Sequence, residues 1–321
     1  MSKITKSNSD LNKDIGIDDN ATSTAITIDA SENVSLVGTL TGTVLNDSDG
    51  NVRSGRKNLI INGGFDVWQR GTSFSYTSAG ANKYSADRWR QEGYGYTGSV
   101  TKTTLGNYSA IAFAVTNSSA GYTGLVQRVE ITGSSLLGET VTLSYQIKGS
   151  GSFNIATQIT ETSNTVAVTA STQELSHTHT VSSSDISNGF ITVRFQFSGG
   201  DTGTITVSQV QLELGSVATD FEHRSYGEEL ALCQRYYQAK TSINIIGSYT
   251  GSTSGSNLYR VANIPLIPQM RTVPSATVVG SVASGAWYLN SSSHTNLQAA
   301  VYIASASGEY QVTSFTADAE L

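Results

Sequence analysis

Between Asn58 and about His223 apolar residues return at every second position. Val141, Leu143, Tyr145 and Ile147 alternate with Thr142, Ser144, Gln146 and Lys148, and Ile191, Val193, Phe195 and Phe197 alternate with Thr192, Arg194 and Gln196. Successive side chains on a strand point to opposite faces, so a period of two means strands with one dry face and one wet face. A series of such strands excludes a parallel α/β sheet and selects an antiparallel sandwich. The phase changes between Val207 and Val210, which predicts a β-bulge near Ser208–Gln209. About eight strands with loops of unequal length are expected, the pattern of a jelly roll.

The wet faces are solvated by hydroxyls rather than by charge, since only 14% of the residues are charged while Ser, Thr and Gly abound. A net charge of −6 with no Lys/Arg cluster argues against a nucleic-acid partner. The single Cys excludes an internal disulfide framework. The opening MSKITKSNSD has no apolar leader segment, and no run approaches the roughly 18 apolar residues of a membrane span. Synthesis in the cytoplasm without a signal peptide or membrane insertion is therefore expected.

At 321 residues the chain exceeds what one core organises. The expected class is all-β: an N-terminal extended β segment (1–57), a jelly-roll β-sandwich (58–224), one linking helix (225–239) and a small C-terminal β domain (240–321). In the first segment the strand-like pieces are Ala25–Asp29 and Val34–Leu40, which cannot bury a core alone; it orders against neighbours or stays a loose terminus. Asn46–Asn51 lacks the Glu of a calcium loop and reads as a hairpin turn. Leu59–Ile61, Asn62–Gly64 and Phe65–Gln69 read as strand, tight turn, strand. Ser225 and Glu228 have capping-box spacing, and Leu230, Cys233 and Tyr237 then share a helix face. Pro265, Pro268 and Pro274 mark a sheet edge or interface, and Leu297–Ile303 followed by Tyr310–Val312 predicts a final hairpin.

The search for chemistry is mostly negative. Gly93–Gly98 matches GxGxxG, but it leads into a Thr-rich strand instead of a helix, and Tyr fills the positions where phosphate approaches. GxSxG, HExxH, GxxxxGK and CxxC are absent, and the carboxylates show no acid/base pair, so no catalytic residue and no cofactor are assigned. His177 and His179 share one strand face without a third metal ligand and are expected to face solvent. Cys233 reads as a small core residue, and Trp68 and Trp89 as core.

NLIINGGFDVWQRG followed by YSADRW, ending at Trp89, resembles the opening of a jelly-roll module of tailed-bacteriophage fibre and virion proteins. That module is itself similar to the NL-x-x-NG-x-F opening strand of carbohydrate-binding jelly rolls. QVQLELGSVATDFEHRSYGEELALCQRYYQ, Gln209 to Gln238, resembles the end of the same module and the helix that leaves it, and IPLIPQMRTVPSATV is similar to a proline-punctuated segment of those proteins. The resemblance implies a non-enzymatic structural virion protein, a homotrimeric tail fibre or appendage for host-surface attachment. Its N-terminal segment would contact other virion proteins and its jelly roll a host glycan. A capsid decoration protein or head fibre is the alternative. A glycan hydrolase of tailspike type is a third, although no repetitive β-helix is visible. Related carbohydrate-binding jelly rolls often carry a structural calcium; Asp66 matches its first acidic position, while Ser208–Gln209 at the second are not acidic, and no metal is assigned. Sugar rings stack on exposed aromatics, which makes Tyr94, Tyr96, Tyr108 and Tyr122, all in Gly/Ser/Thr-rich contexts, the glycan-binding candidates.

Overall fold

The computed structural model of the chain describes residues 26–28, 34–36, 57–77, 83–118, 121–131, 136–151, 153–250, 258–282, 285–303 and 307–321. Ile26–Ile28 (β1) pairs antiparallel with Val34–Leu36 (β2), where alternation predicts strands, and both lie in the first of two compact units, Met1–Ser54. The expected turn at Asn46–Asn51 lies outside the described residues. The second unit is Gly55–Leu321.

Two six-stranded antiparallel sheets dominate that unit. The first runs β11 (Thr162–Val168), β10 (Phe153–Ile159), β13 (Phe190–Phe197), β8 (Thr123–Glu130), β5 (Arg90–Gly93), β4 (Lys83–Tyr84). The second runs β12 (Gln173–Thr180), β9 (Thr140–Gly149), β14 (Gly203–Leu214), β7 (Tyr108–Ser118), β6 (Tyr96–Leu105), β3 (Ser73–Tyr76). Their dry faces share one core, a jelly-roll β-sandwich built from the residues the alternation marks: Val141, Leu143, Tyr145 and Ile147 on β9 against Ile191, Val193, Phe195 and Phe197 on β13. Among the described residues the strands number twelve rather than about eight. The extra ones are short, like the two-residue β4, or are edge strands such as β11, whose residues 162–165 are all exposed and carry no apolar signal.

The opening stretch departs from the expected strand, turn, strand. Residues 57–72 make no regular strand, because Asn62 (φ 58°) and Phe65 (φ 57°) take left-handed backbone that a ladder does not admit. Side-chain amides replace the ladder. Asn62 donates to the carbonyls of Val67 (2.8 Å) and Asp87 (3.0 Å) and accepts from the Val67 amide (3.0 Å), while Gln127 brackets Ile61, accepting from its N–H at 2.9 Å and donating to its C=O at 2.8 Å. Phe65 and Val67 are fully buried all the same. Trp89, 0% exposed, stands between Phe65 (ring centroids 5.1 Å) and Phe195 (6.3 Å) and donates its Nε1–H to the Asn62 carbonyl at 3.0 Å.

Two helices are described rather than one. Ser183–Asn188 (α1) was not expected, since six residues show no helical period, yet Ser182 and Asp185 close a capping box on it. Tyr226–Gln234 (α2) starts on the expected Ser225/Glu228 capping box and buries Cys233, whose thiol is pushed well up by burial. It ends before the expected boundary at 239, and Tyr237 opens a strand instead of extending the helix face. Arginine stacking explains the change: Arg88 lies 3.5 Å above the Tyr236 ring and Arg70 lies 3.5 Å above that of Tyr237.

The C-terminal region holds two three-stranded sheets. One is β15 (Tyr237–Thr250), β20 (Ser307–Asp318), β17 (Ser275–Val282), and the other is β16 (Leu258–Pro265), β19 (Asn296–Ile303), β18 (Gly285–Ser292). Their core includes Ile264, Leu266, Met270, Leu297, Val312 and Phe315. β19 and β20 belong to different sheets, so the expected final hairpin does not form. Period two marks each strand but not its partner, and β20 is taken up between β15 and β17. The proline segment crosses from β16 to β17, that is, from one sheet to the other.

A clasp of buried arginines joins this region to the sandwich. Arg88, 2% exposed in its side chain, pairs with Glu320; Arg70 pairs with Glu320 and with Asp318, each at 3.2 Å. Tyr84 and Arg90 donate to the Leu321 carbonyl at 2.8 and 3.2 Å. Removing one partner of a buried ion pair leaves an uncompensated charge that costs about 3–5 kcal/mol. Glu320→Ala should therefore lower the thermal midpoint clearly. Trp89→Ala should leave a cavity costing about 3–5 kcal/mol, a large part of the roughly 5–15 kcal/mol that stabilises a domain. Differential scanning calorimetry checks both, and a wild-type midpoint for either variant contradicts the role assigned to that residue.

Candidate functional site

The phase change in β14 appears as predicted: its register against β9 shifts between Ser208 and Gln211, with Gln209 at φ 51°. The opening stretch docks onto this bulge, and the Val210 amide donates to the Gly63 carbonyl at 2.9 Å. A Cβ on Gly63 would lie 2.0 Å from the Val210 carbonyl oxygen, so only glycine permits the approach. The bulge turns Gln209 toward the outer, wet face of the second sheet.

After β14 the chain folds back over that face. Glu213 accepts from the Thr219 amide (2.8 Å) and hydroxyl (2.6 Å), and Gln211 accepts from the Glu222 amide at 2.8 Å. Buried polar side chains of the sheet thus hold the 219–223 segment in place. Phe221 and His223 stand there with ring centroids 5.0 Å apart, and His223 stacks on Tyr108 at 5.9 Å and 27°. The result is a groove of about 500 Å³ with these three rings as a wall and Ser144, Gln146, Glu174 and Gln209 among its polar lining. Gln146 donates to Glu174 at 2.8 Å, orienting both head groups. Such a mixture of ring faces, amides, hydroxyls and carboxylates suits a polyhydroxylated ligand.

Of the four tyrosines, Tyr108 is in this wall and is 41% exposed. Tyr94 (60% exposed) and Tyr122 make an edge-on pair at 6.4 Å, on the connections leaving β5 and entering β8. Tyr96 is corrected: it is 4% exposed, in the core, and burial pushes its phenol up to about 12. It is in phase with Val100, which the Gly-rich context obscured. Phe221, His223, Gln146 and Glu174 were not singled out as site residues in the sequence; Gln146 was legible only as a wet-face residue, and Gln209 only as part of the bulge and of the non-acidic second calcium position.

Asp66 and the Ser208–Gln209 bulge do come together, around a smaller hollow of about 220 Å³ beside the Tyr108–His223 stack. Asp66 is the one carboxylate among its lining residues, and the described residues form no cluster of three His, Cys, Asp or Glu.

His177 and His179 share a face as expected, but it is the inner face of the sandwich and not the solvent side. Both are in phase with Leu175, which packs against the core. His177 meets the Tyr145 ring edge-on, and burial, followed by the neighbouring His179, holds its imidazole below the usual range. His179 lies 2.8 Å from the Thr162 hydroxyl and 2.9 Å from Asp185. Burial alone would raise the Asp185 carboxyl, but hydrogen bonds from the Ser182 amide, His179, Thr160 and the Ser182 hydroxyl outweigh it and hold it at about 2.

No protein-family model matches the chain, and no curated protein matches it. Among solved structures it is similar to one described as "CBM4 structure and function", at 19% identity and a TM-score of 0.33 over 48% of this chain and 98% of that one. It is also similar to the family 11 carbohydrate-binding module from Clostridium thermocellum in complex with a β-1,3-1,4-mixed-linked tetrasaccharide, at 13% identity and a TM-score of 0.31 over 46% of this chain and 98% of that one. A third is TmCBM61 in complex with β-1,4-galactotriose, at 14% identity and a TM-score of 0.33 over 50% of this chain and 100% of that one. At these values the likenesses add nothing to the strand order already visible in the chain itself.

The Asp185 network makes a pH prediction. A carboxyl held below its unfolded value contributes stability that is full above about pH 4 and is lost as pH falls toward about 2, here on the order of 2 kcal/mol. Asp185→Asn should lose that margin at neutral pH and converge on the wild type at about pH 2. Chemical denaturation across pH 2–7 checks this, and parallel curves for the two proteins would contradict it.

Proposed function

We propose that the outer face of the second sheet is a glycan-binding groove and that the chain is a non-catalytic attachment protein of a tailed-phage particle. The observation that carries the binding reading is the wall of Tyr108, His223 and Phe221 beside the oriented Gln146–Glu174 pair. Sugar C–H faces pack on rings, and sugar hydroxyls exchange hydrogen bonds with amides and carboxylates, so the groove offers both at once. Glu174 is exposed and bound to an amide, an arrangement that serves hydrogen bonding to a ligand. The attachment role, the particle and the homotrimer rest on the motifs at Asn58–Trp89 and Gln209–Gln238 and on an N-terminal segment with too few apolar residues for a core of its own.

The test is a glycan array probed with the full chain, followed by calorimetric titration of the best oligosaccharide. Tyr108→Ala should weaken binding by about two- to tenfold, the equivalent of losing one stacking ring, and Gln146→Ala should weaken it as well, with thermal midpoints kept. Absence of any glycan binding, or binding that both variants retain in full, overturns the groove reading. Sedimentation that shows a stable monomer of the full chain overturns the trimer.

A further inference from the structure

The face of the sandwich opposite the groove carries chemistry of its own. By strand register Arg90 stands beside Val126 and Val126 beside Arg194 across β5, β8 and β13, with Arg128 two residues along β8 on the same outer face. Three guanidinium-bearing side chains thus gather around Val126, which is itself fully buried. Glu92 is shared by two of them, 3.1 Å from Arg90 and 3.4 Å from Arg194, and Arg194 also donates to the Gln158 side chain at 2.9 Å. Among the described residues the Arg128 guanidinium has a cation–π contact with Phe190 at 4.4 Å and makes no hydrogen bond or ion pair, while its carbonyl accepts from Arg88 at 2.7 Å. The Nε–H groups of all three arginines are buried without a partner, and the Arg90 side chain is only 9% exposed.

A buried N–H without an acceptor is costly, and like charges at diagonal strand positions repel. Burial, and next the Arg90 charge, lower the pKa of Arg128, and Glu92 offsets them only in part. The surplus is local, in a chain whose net charge is −6. Beside it, Arg194 lies 5.2 Å from the Tyr122 ring, which meets the exposed Tyr94 edge-on at 6.4 Å. An arginine cluster short of acceptors is matched by a planar or tetrahedral anion, and an exposed ring next to it by a sugar face.

We propose that this face is a second binding site, for an anionic saccharide, with Arg128 and Arg194 taking the carboxylate or sulfate and Tyr94 packing on the sugar ring. The site is independent of the groove, since it lies on the other sheet and shares no residue with it. A long polyphosphate chain is the poorer match, because beyond the patch it meets a chain of net negative charge.

The experiment titrates the full chain at low salt with oligogalacturonate, a sulfated oligosaccharide, their neutral counterparts, inorganic sulfate and a single-stranded oligonucleotide. The acidic sugars should bind about tenfold or more tightly than the neutral ones and weaken with salt. Arg128→Gln should cost about tenfold in affinity and lower the thermal midpoint only slightly, because among the described residues the contact its guanidinium loses is the one with the Phe190 ring. Arg128→Lys, which keeps the charge without the planar fork, should fall between and serves as the measurement if Arg128→Gln folds poorly. Tyr94→Ala should weaken the acidic sugars but not inorganic sulfate, and Tyr108→Ala in the groove should change neither. No binding of acidic sugar by the wild type, or wild-type affinity in both Arg128 variants, overturns the proposal. Sulfate and sugars binding alike with no effect of Tyr94→Ala reduces the patch to a simple anion site and overturns the saccharide assignment. Preference for the oligonucleotide overturns it in favour of nucleic acid, and loss of binding in Tyr108→Ala returns the ligand to the groove.

Discussion

The side-chain amides of Asn58 and Asn62 hold a non-repetitive stretch of backbone against the sandwich, and much of the rest depends on them. Buried peptide groups must find partners, and a stretch that leaves the ladder normally finds water. Here the Asn62 amide satisfies Val67 twice and Asp87 once, while Asn58 accepts from the amides of Ile60 (2.9 Å) and Leu212 (3.2 Å) and donates to the Val210 carbonyl (3.2 Å). Asparagine is also a residue that tolerates the left-handed backbone found at position 62. The same few residues reach outward: the Asn62 backbone carbonyl receives Trp89, its backbone N–H donates to Glu229 of α2 at 2.6 Å, and Arg224 donates to the Ile60 carbonyl at 3.0 Å. One segment thereby fixes the central tryptophan, the bulge of β14 and the start of the linking helix.

The groove follows from that arrangement. Gly63 admits the Val210 backbone, the bulge presents Gln209, and the residues beyond it return over the sheet because Gln211 and Glu213 offer acceptors from within. A polar residue on the outer face of a strand usually meets solvent; these two meet a returning chain instead, which converts part of a flat sheet into a walled depression. The ring wall is therefore built by the strand's own continuation, and its position is set by hydrogen bonds rather than by apolar burial.

On the other sheet the outer face is shared between two uses. Toward β4 and the start of β5, Arg70, Arg88 and Arg90 are occupied by Asp318, Glu320 and the Leu321 carbonyl, which lock the C-terminal sheets in place. Farther along β8 and β13 Arg194 is held by Glu92 and Gln158, whereas among the described residues the Arg128 guanidinium meets only the Phe190 ring. Carboxylates from the C-terminus hold the arginines at one end of the face, and fewer of them reach the other end, which separates a structural clasp from the patch around Arg128.

The sequence alone determined what depends on local pattern. Alternation established the sandwich and its dry residues, the phase slip located the bulge, Ser225 and Glu228 located the helix start, and the burial of Trp89 and Cys233 agreed with their patterned surroundings. Two misplacements were legible in principle, since Tyr96 keeps the phase of Val100 and His177 and His179 keep that of Leu175, yet composition pointed the other way. The rest was decided by tertiary structure. A period of two says which residues share a face but not which strand lies alongside, so β19 and β20 parted into different sheets and the expected hairpin vanished. The loop of the opening stretch, the Tyr108–His223 wall and the arginine patch each join residues far apart in sequence, through side-chain hydrogen bonds and register across three strands. Local periodicity carries no information about such pairings, because they come into being only when the whole sheet has closed.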